Sequence, residues 1–156
     1  MIKGTLYRGK YILPLSQFLE GLSKEYRPII CLDCALAIHG LSSFNGELYP
    51  MIFSEVRGIT PRFCEGIISE MFVPQINYSN ISEYANGKAY VTSPERSICD
   101  MIIYDRDNFF TLEAIDEIYS MGQERINRLE TLAKEYSIYD KLIQFKDEAE
   151  DLFYNY

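Results

Sequence analysis

Hydrophobic positions follow one period in the middle of the chain and another towards its end, and the change divides it. Around Leu6, Tyr7, Tyr11, Ile12 and Leu13, β-prone residues are interleaved with Arg8 and Lys10, which predicts a strand broken at Pro14. From Leu15 through Phe18, Leu19 and Leu22 the spacing is helical, with Ser16 near the start and Pro28 as the stop. A short second helix is predicted from about Asp33 to His39. Asp33 can cap it, Ala35 to Ile38 favour it, and Gly40 suits the position just past its end.

Between Glu47 and about Val91 apolar clusters are bounded by Pro50, Gly58, Pro61, Gly66 and Pro74, and the stretch reads as sheet. Asn86-Gly87 marks a hairpin, because both central residues of a type I′ turn need positive φ. A helix opens at Thr92-Ser93-Pro94-Glu95. Either Ser93 caps it, with Pro94 in the first turn, or Thr92 does, with Glu95 completing a capping box. Ile98, Cys99, Ile102 and Ile103 form its apolar face, while Arg96 and Asp100 stand four apart and can pair on another.

After the polar group Asp105 to Asn108, three helical patterns follow. Leu112, Ile115, Ile118 and Tyr119 define the first, ending near Gly122; Ile126, Leu129, Leu132, Ala133 and Tyr136 define the second. Ile138, Leu142, Phe145, Ala149 and Leu152 define the third, with Ser137 as break and cap. On this last helix Asp140, Asp147 and Asp151 fall opposite the apolar stripe. The order predicts an α+β fold: an N-terminal strand and short helices, a central, mostly antiparallel sheet, and a C-terminal segment of three to four helices.

Charge sharpens this division. The 156 residues carry a net charge of −8. Residues 1 to 100 hold 9 Lys and Arg against 10 Asp and Glu, whereas residues 101 to 156 hold 6 against 13, so the acidity belongs to the helical end. Acidic faces steer basic partners, and the shortage of cations disfavours non-specific nucleic-acid binding. No run approaches the roughly 18 apolar residues of a membrane span, and Met1 to Thr5 lack the apolar stretch of a secretory signal. No membrane association is expected, and the expected location is cytoplasmic.

Candidate chemistry is sparse. His39 lacks the partners of a catalytic triad or a His-Glu-x-x-His site, so packing or capping is its expected role. Cys31 and Cys34 form a C-x-x-C pair, but Cys64 and Cys99 are isolated, and the expected state is buried thiols rather than zinc or redox chemistry. Phosphate-binding glycine loops are absent, and the carboxylates read as solvated faces. Tyr154 and Tyr156 have no evident core to join, which makes them candidates for association, including with a second copy.

Two segments carry a resemblance. Cys34-Ala35-Leu36-Ala37-Ile38-His39-Gly40-Leu41 and Val91-Thr92-Ser93-Pro94-Glu95-Arg96-Ser97-Ile98-Cys99-Asp100 resemble the paired signatures of the AbiEi-type antitoxins, in the same order and separated by a β-rich stretch. The resemblance implies a reduced N-terminal segment over 1–30 and an antitoxin domain over 31–156, with 109–156 as its acidic helical end. It further implies a nucleotidyltransferase-like toxin as partner, in systems linked to abortive infection by phage. In the family this domain commonly follows a winged helix-turn-helix that represses the operon. Only about 30 residues precede the first signature here, too few for that module.

Carried over residue by residue, the motif positions are architectural. His39 and Gly40 would close one helix, Ser93, Pro94 and Glu95 would start another, and Arg96 with Asp100 would tie the second helix to a neighbour. No catalytic residue, cofactor site or metal ligand is implied. The expectation is a non-enzymatic antitoxin-like or regulatory protein whose face at Asp140, Asp147 and Asp151 meets a basic protein. The alternative is a DNA-binding repressor of its own operon using Arg8, Lys10, Lys24 and Arg27, and a third reading is an enzyme on a small phosphorylated or nucleotide substrate.

Overall fold

The computed structural model describes residues 2–3, 5–7, 10–22, 26–56, 64–65 and 68–154. The order of elements is β1 (Ile2–Lys3), β2 (Thr5–Tyr7), β3 (Lys10–Ile12), α1 (Leu15–Glu20), β4 (Ile29–Ile30), α2 (Leu32–Ile38) and β5 (Met51–Ser54). There follow β6 (Cys64–Glu65), β7 (Ser69–Phe72), β8 (Ile81–Tyr84), β9 (Ala89–Thr92), α3 (Pro94–Ile103), α4 (Asn108–Tyr119), α5 (Gln123–Glu135) and α6 (Tyr139–Tyr154). The class is α+β as expected.

Five strands form the central sheet in the order β7-β5-β4-β9-β8. β8 and β9 pair antiparallel, as do β4 and β5, while β4–β9 and β5–β7 are parallel. The sheet is therefore evenly mixed rather than mostly antiparallel. A hairpin leaves a local turn signal, whereas a parallel pair needs a long crossover that writes no short motif, and Ile29 finds Tyr90 across the whole intervening chain. β4, the middle strand of the sheet, ends at residue 30, so the boundary drawn there leaves that strand in the N-terminal segment.

Local chemistry explains the element ends. Asn86 and Gly87 both have positive φ, and Lys88 N–H donates to Ala85 O at 3.2 Å, which closes the expected turn. Gly40, at φ +71°, ends α2: its N–H reaches Ala37 O and that of Leu41 reaches Leu36 O, the paired bonds of a Schellman stop. Ser137 (φ +58°) does the same for α5, with Ile138 N–H on Ala133 O at 2.9 Å, so it closes that helix by backbone geometry. Asp33 does not cap α2. The N-cap is Cys31, without a side-chain bond, and the Asp33 carboxylate turns instead to Arg106 at 3.3 Å.

In the N-terminal part the expected strand is two strands, β2 and β3, paired antiparallel with Leu6 opposite Tyr11. Arg8, Lys24, Gly58, Pro61, Gly66 and Tyr156, named above, lie outside the described residues. The core runs from Ile30 and Ile52 of the sheet through Leu36 of α2 and Ile98 and Met101 of α3 to Ile115, Ile118 and Leu129 of the helical end. Each is at most 1% exposed, so sheet and helices share one interior. Ile103, placed with the apolar face of α3, is 44% exposed as the last residue of that helix.

Candidate functional site

The two signature segments meet. His39, at the end of α2, places Nε2 2.7 Å from the carbonyl of Thr92, just before α3. A carbonyl only accepts, so Nε2 carries the proton and donates. The chain entering α3 is held from within as well. Ser93 caps the helix, its Oγ accepting from Arg96 N–H at 3.1 Å, and Pro94 follows in the first turn. Thr92 is not the cap; its hydroxyl lies 2.7 Å from that of Ser97, which in turn donates to Ser93 O at 2.6 Å.

Arg96 and Asp100 do pair along α3, but inside the protein rather than on a solvated side. Arg96 Nε donates to Asp100 Oδ2 at 3.1 Å, with the side chains 5% and 7% exposed. Arg96 Nη1 also donates to the carbonyls of Asn77 and Ser79, at 2.5 and 2.6 Å, which fastens the loop before β8 to the helix. The guanidinium carbon lies 5.3 Å from the centroid of the Phe53 ring on β5. Burial pushes the Asp100 carboxyl up to about 6, against the pull of Arg96.

Beside this pair is a cleft of about 220 Å³ lined by Phe53, Ile76, Asn77, Arg96, Asp100 and Tyr104, among others. It is smaller than the usual small-molecule site of about 300–1,000 Å³, and its guanidinium and carboxylate are engaged with each other. A wider groove of about 530 Å³ separates the start of α3 from α5. Glu95 borders it and does not complete a capping box. Its Oε1 lies 3.8 Å from Arg125 Nε on α5, an ion pair in which neither atom has a hydrogen-bond partner.

Cys31 and Cys34 are buried, as expected of them. The C-x-x-C pair does sit at a strand-to-helix turn, Cys31 following β4 and Cys34 lying within α2, which the sequence pattern hid because β4 is only two residues long. Both thiols are free and fully buried. Burial raises Cys34 to about 11 and Cys31 well above its ordinary value, the reverse of the lowered pKa that redox cysteines need. Among the described residues no three His, Cys, Asp or Glu side chains converge as a metal site, and no helix is long and apolar enough to cross a membrane.

Asp140, Asp147 and Asp151 are all exposed on α6, seven and four residues apart and hence on one face, with Leu142 and Ala149 buried on the other. The structure does not bring this face to the node of His39 and Thr92; the two belong to different parts of the molecule. Tyr154 is 63% exposed and donates to Asp116 on α4 at 3.3 Å. α4 lies where its apolar spacing predicts, but its charge was not singled out. Of the three C-terminal helices it alone has no Lys or Arg, yet carries Glu113, Asp116 and Glu117. Compared with family models, with curated proteins and with solved structures, the chain matches none.

Proposed function

We propose that this chain is a non-enzymatic, antitoxin-like or regulatory domain that neutralises or regulates a nucleotidyltransferase-like toxin in a phage-defence setting. The observation that carries the reading is the junction of the two AbiEi-like segments through His39 and Thr92, with Ser93, Arg96 and Asp100 turned inward to hold it. Residues that resemble a family signature and are buried in one node have an architectural use, which leaves the outer faces for contact. Those faces at the helical end are acidic, and a protein that handles nucleic acid presents a basic one.

Co-expression with an adjacent nucleotidyltransferase-like gene tests this. Growth arrest by that protein should be relieved when this chain is present, and arrest that persists unchanged ends the antitoxin reading. Gel-shift titration on upstream DNA tests the repressor reading, for which Arg27 is exposed and donates weakly to the Tyr90 hydroxyl at 3.4 Å. A complex at micromolar protein that dissolves with salt would favour it.

A further inference from the structure

Five aromatic rings run in an unbroken series over the surface of the helical end. Tyr49, Phe44, Phe110, Phe109 and Phe153 follow one another with centroids 6.4, 5.3, 5.6 and 6.3 Å apart. They come from the loop before β5, the start of α4 and the end of α6, so elements far apart in sequence build one strip. Phe44, Phe110 and Phe153 are half-buried and anchor it, whereas Tyr49 and Phe109 are 49% and 48% exposed. Leu48 beside Tyr49 and Leu152 beside Phe153 are exposed as well. Large rings fixed at their base and open at their edge are what a protein interface uses, because they bury much area while losing little side-chain freedom.

Charge says what covers the strip. On α4, positions 109, 113 and 116 share one helical face, so Phe109 is followed by Glu113 and Asp116. Glu113 accepts from the backbone N–H and, at 3.0 Å, the hydroxyl of Ser43, next to Phe44; Asp116 accepts from Tyr154. Glu117 is exposed alongside, and α4 has no cation of its own. A second copy packed face to face would set these carboxylates against themselves, and like charges across an interface are unfavourable. A nucleic acid would bring phosphates to the same carboxylates.

We infer that this aromatic strip with its carboxylate flank is the docking surface for a protein partner whose contacting segment is apolar at its centre and carries arginine or lysine at its edge. Arginine suits both halves, pairing with Glu113 or Asp116 and lying over a ring of the strip. The partner's identity rests on the antitoxin reading; the surface does not include the face at Asp140, Asp147 and Asp151.

The test uses the full chain and the adjacent nucleotidyltransferase-like protein, with calorimetric binding and growth rescue measured side by side. Tyr49→Ser with Phe109→Ser should weaken binding by about 30-fold or more, the size of a hot-spot loss. Asp116→Lys with Glu117→Lys, at a half-buried and an exposed position outside the ring series, should weaken it at least tenfold and most at low salt. Binding of both variants within threefold of the unaltered chain overturns the surface. Rescue of growth without measurable binding also overturns it while the antitoxin reading stands; absence of both binding and rescue ends the two together. Sedimentation of the unaltered chain as a dimer that the ring variant dissociates would assign the strip to self-association instead.

Discussion

The ion pair on α3 and the carboxylates on α4 and α6 are built from the same residue types under opposite constraints. Asp100 is 5% exposed, and its neighbour Arg96 divides its donors between one carboxylate and two backbone carbonyls. Asp140 and Asp147 stand in solvent, and Asp116 meets nothing stronger than a tyrosine hydroxyl. Removing one partner of a buried pair leaves the other uncompensated, while removing an exposed carboxylate leaves water in its place. The first arrangement holds the fold, and the second stays available to something outside it. Net charge alone, at −8, does not separate the two.

The contrast can be broken most directly at Arg96. Arg96→Ala should destabilise the protein by about 3–5 kcal/mol in urea unfolding, because it strands Asp100 and frees two carbonyls of the loop before β8. Arg96→Lys should recover only part of this, since an ammonium lacks the guanidinium fork. A smaller effect separates the two regions by pH. Burial raises the Asp100 pKa from 3.8 to about 6, so its protonated form is favoured by folding. That contribution is present in full below pH 3.8, falls as pH rises through about 6, and is gone above it. The difference in unfolding free energy between the unaltered chain and Asp100→Asn should therefore change between pH 4 and 6, by on the order of 2 kcal/mol, and level off above 7. At the other extreme, Asp140→Asn, Asp147→Asn and Asp151→Asn should each shift stability by no more than about 0.5 kcal/mol. A larger loss at any of them would mean that this face too is structural.

Much of the fold was legible because its signals are local. Asn86-Gly87, the Ser93-Pro94 start, the Gly40 stop and the helical spacing of Leu112, Ile115 and Ile118 each depend on a few neighbouring residues, and each is where it was expected. What escaped is long-range. Asp33 looked like a cap and is instead the partner of Arg106. The parallel pairing of β4 with β9 joins Ile30 to Val91 and leaves no motif in either segment. The aromatic strip was invisible for the same reason: Phe44, Phe109 and Phe153 lie in separate segments that no local pattern joins. One part of it was readable, since Phe109, Glu113 and Asp116 fall on one face of a helix without a cation.

The position of β4 in the sheet also sets the order in which the molecule comes together. Its two residues, Ile29 and Ile30, lie between β5 and β9, so the middle of the sheet is laid down first during synthesis and stays open on one side until Tyr90 and Val91 have emerged. Contacts of such long sequence separation form slowly, because the intervening chain must be ordered before they stabilise anything. α3 follows β9 immediately, and His39 can then reach Thr92. The junction of the two signature segments thus doubles as a latch: it cannot close until Thr92, at the end of β9, has been made and brought beside α2.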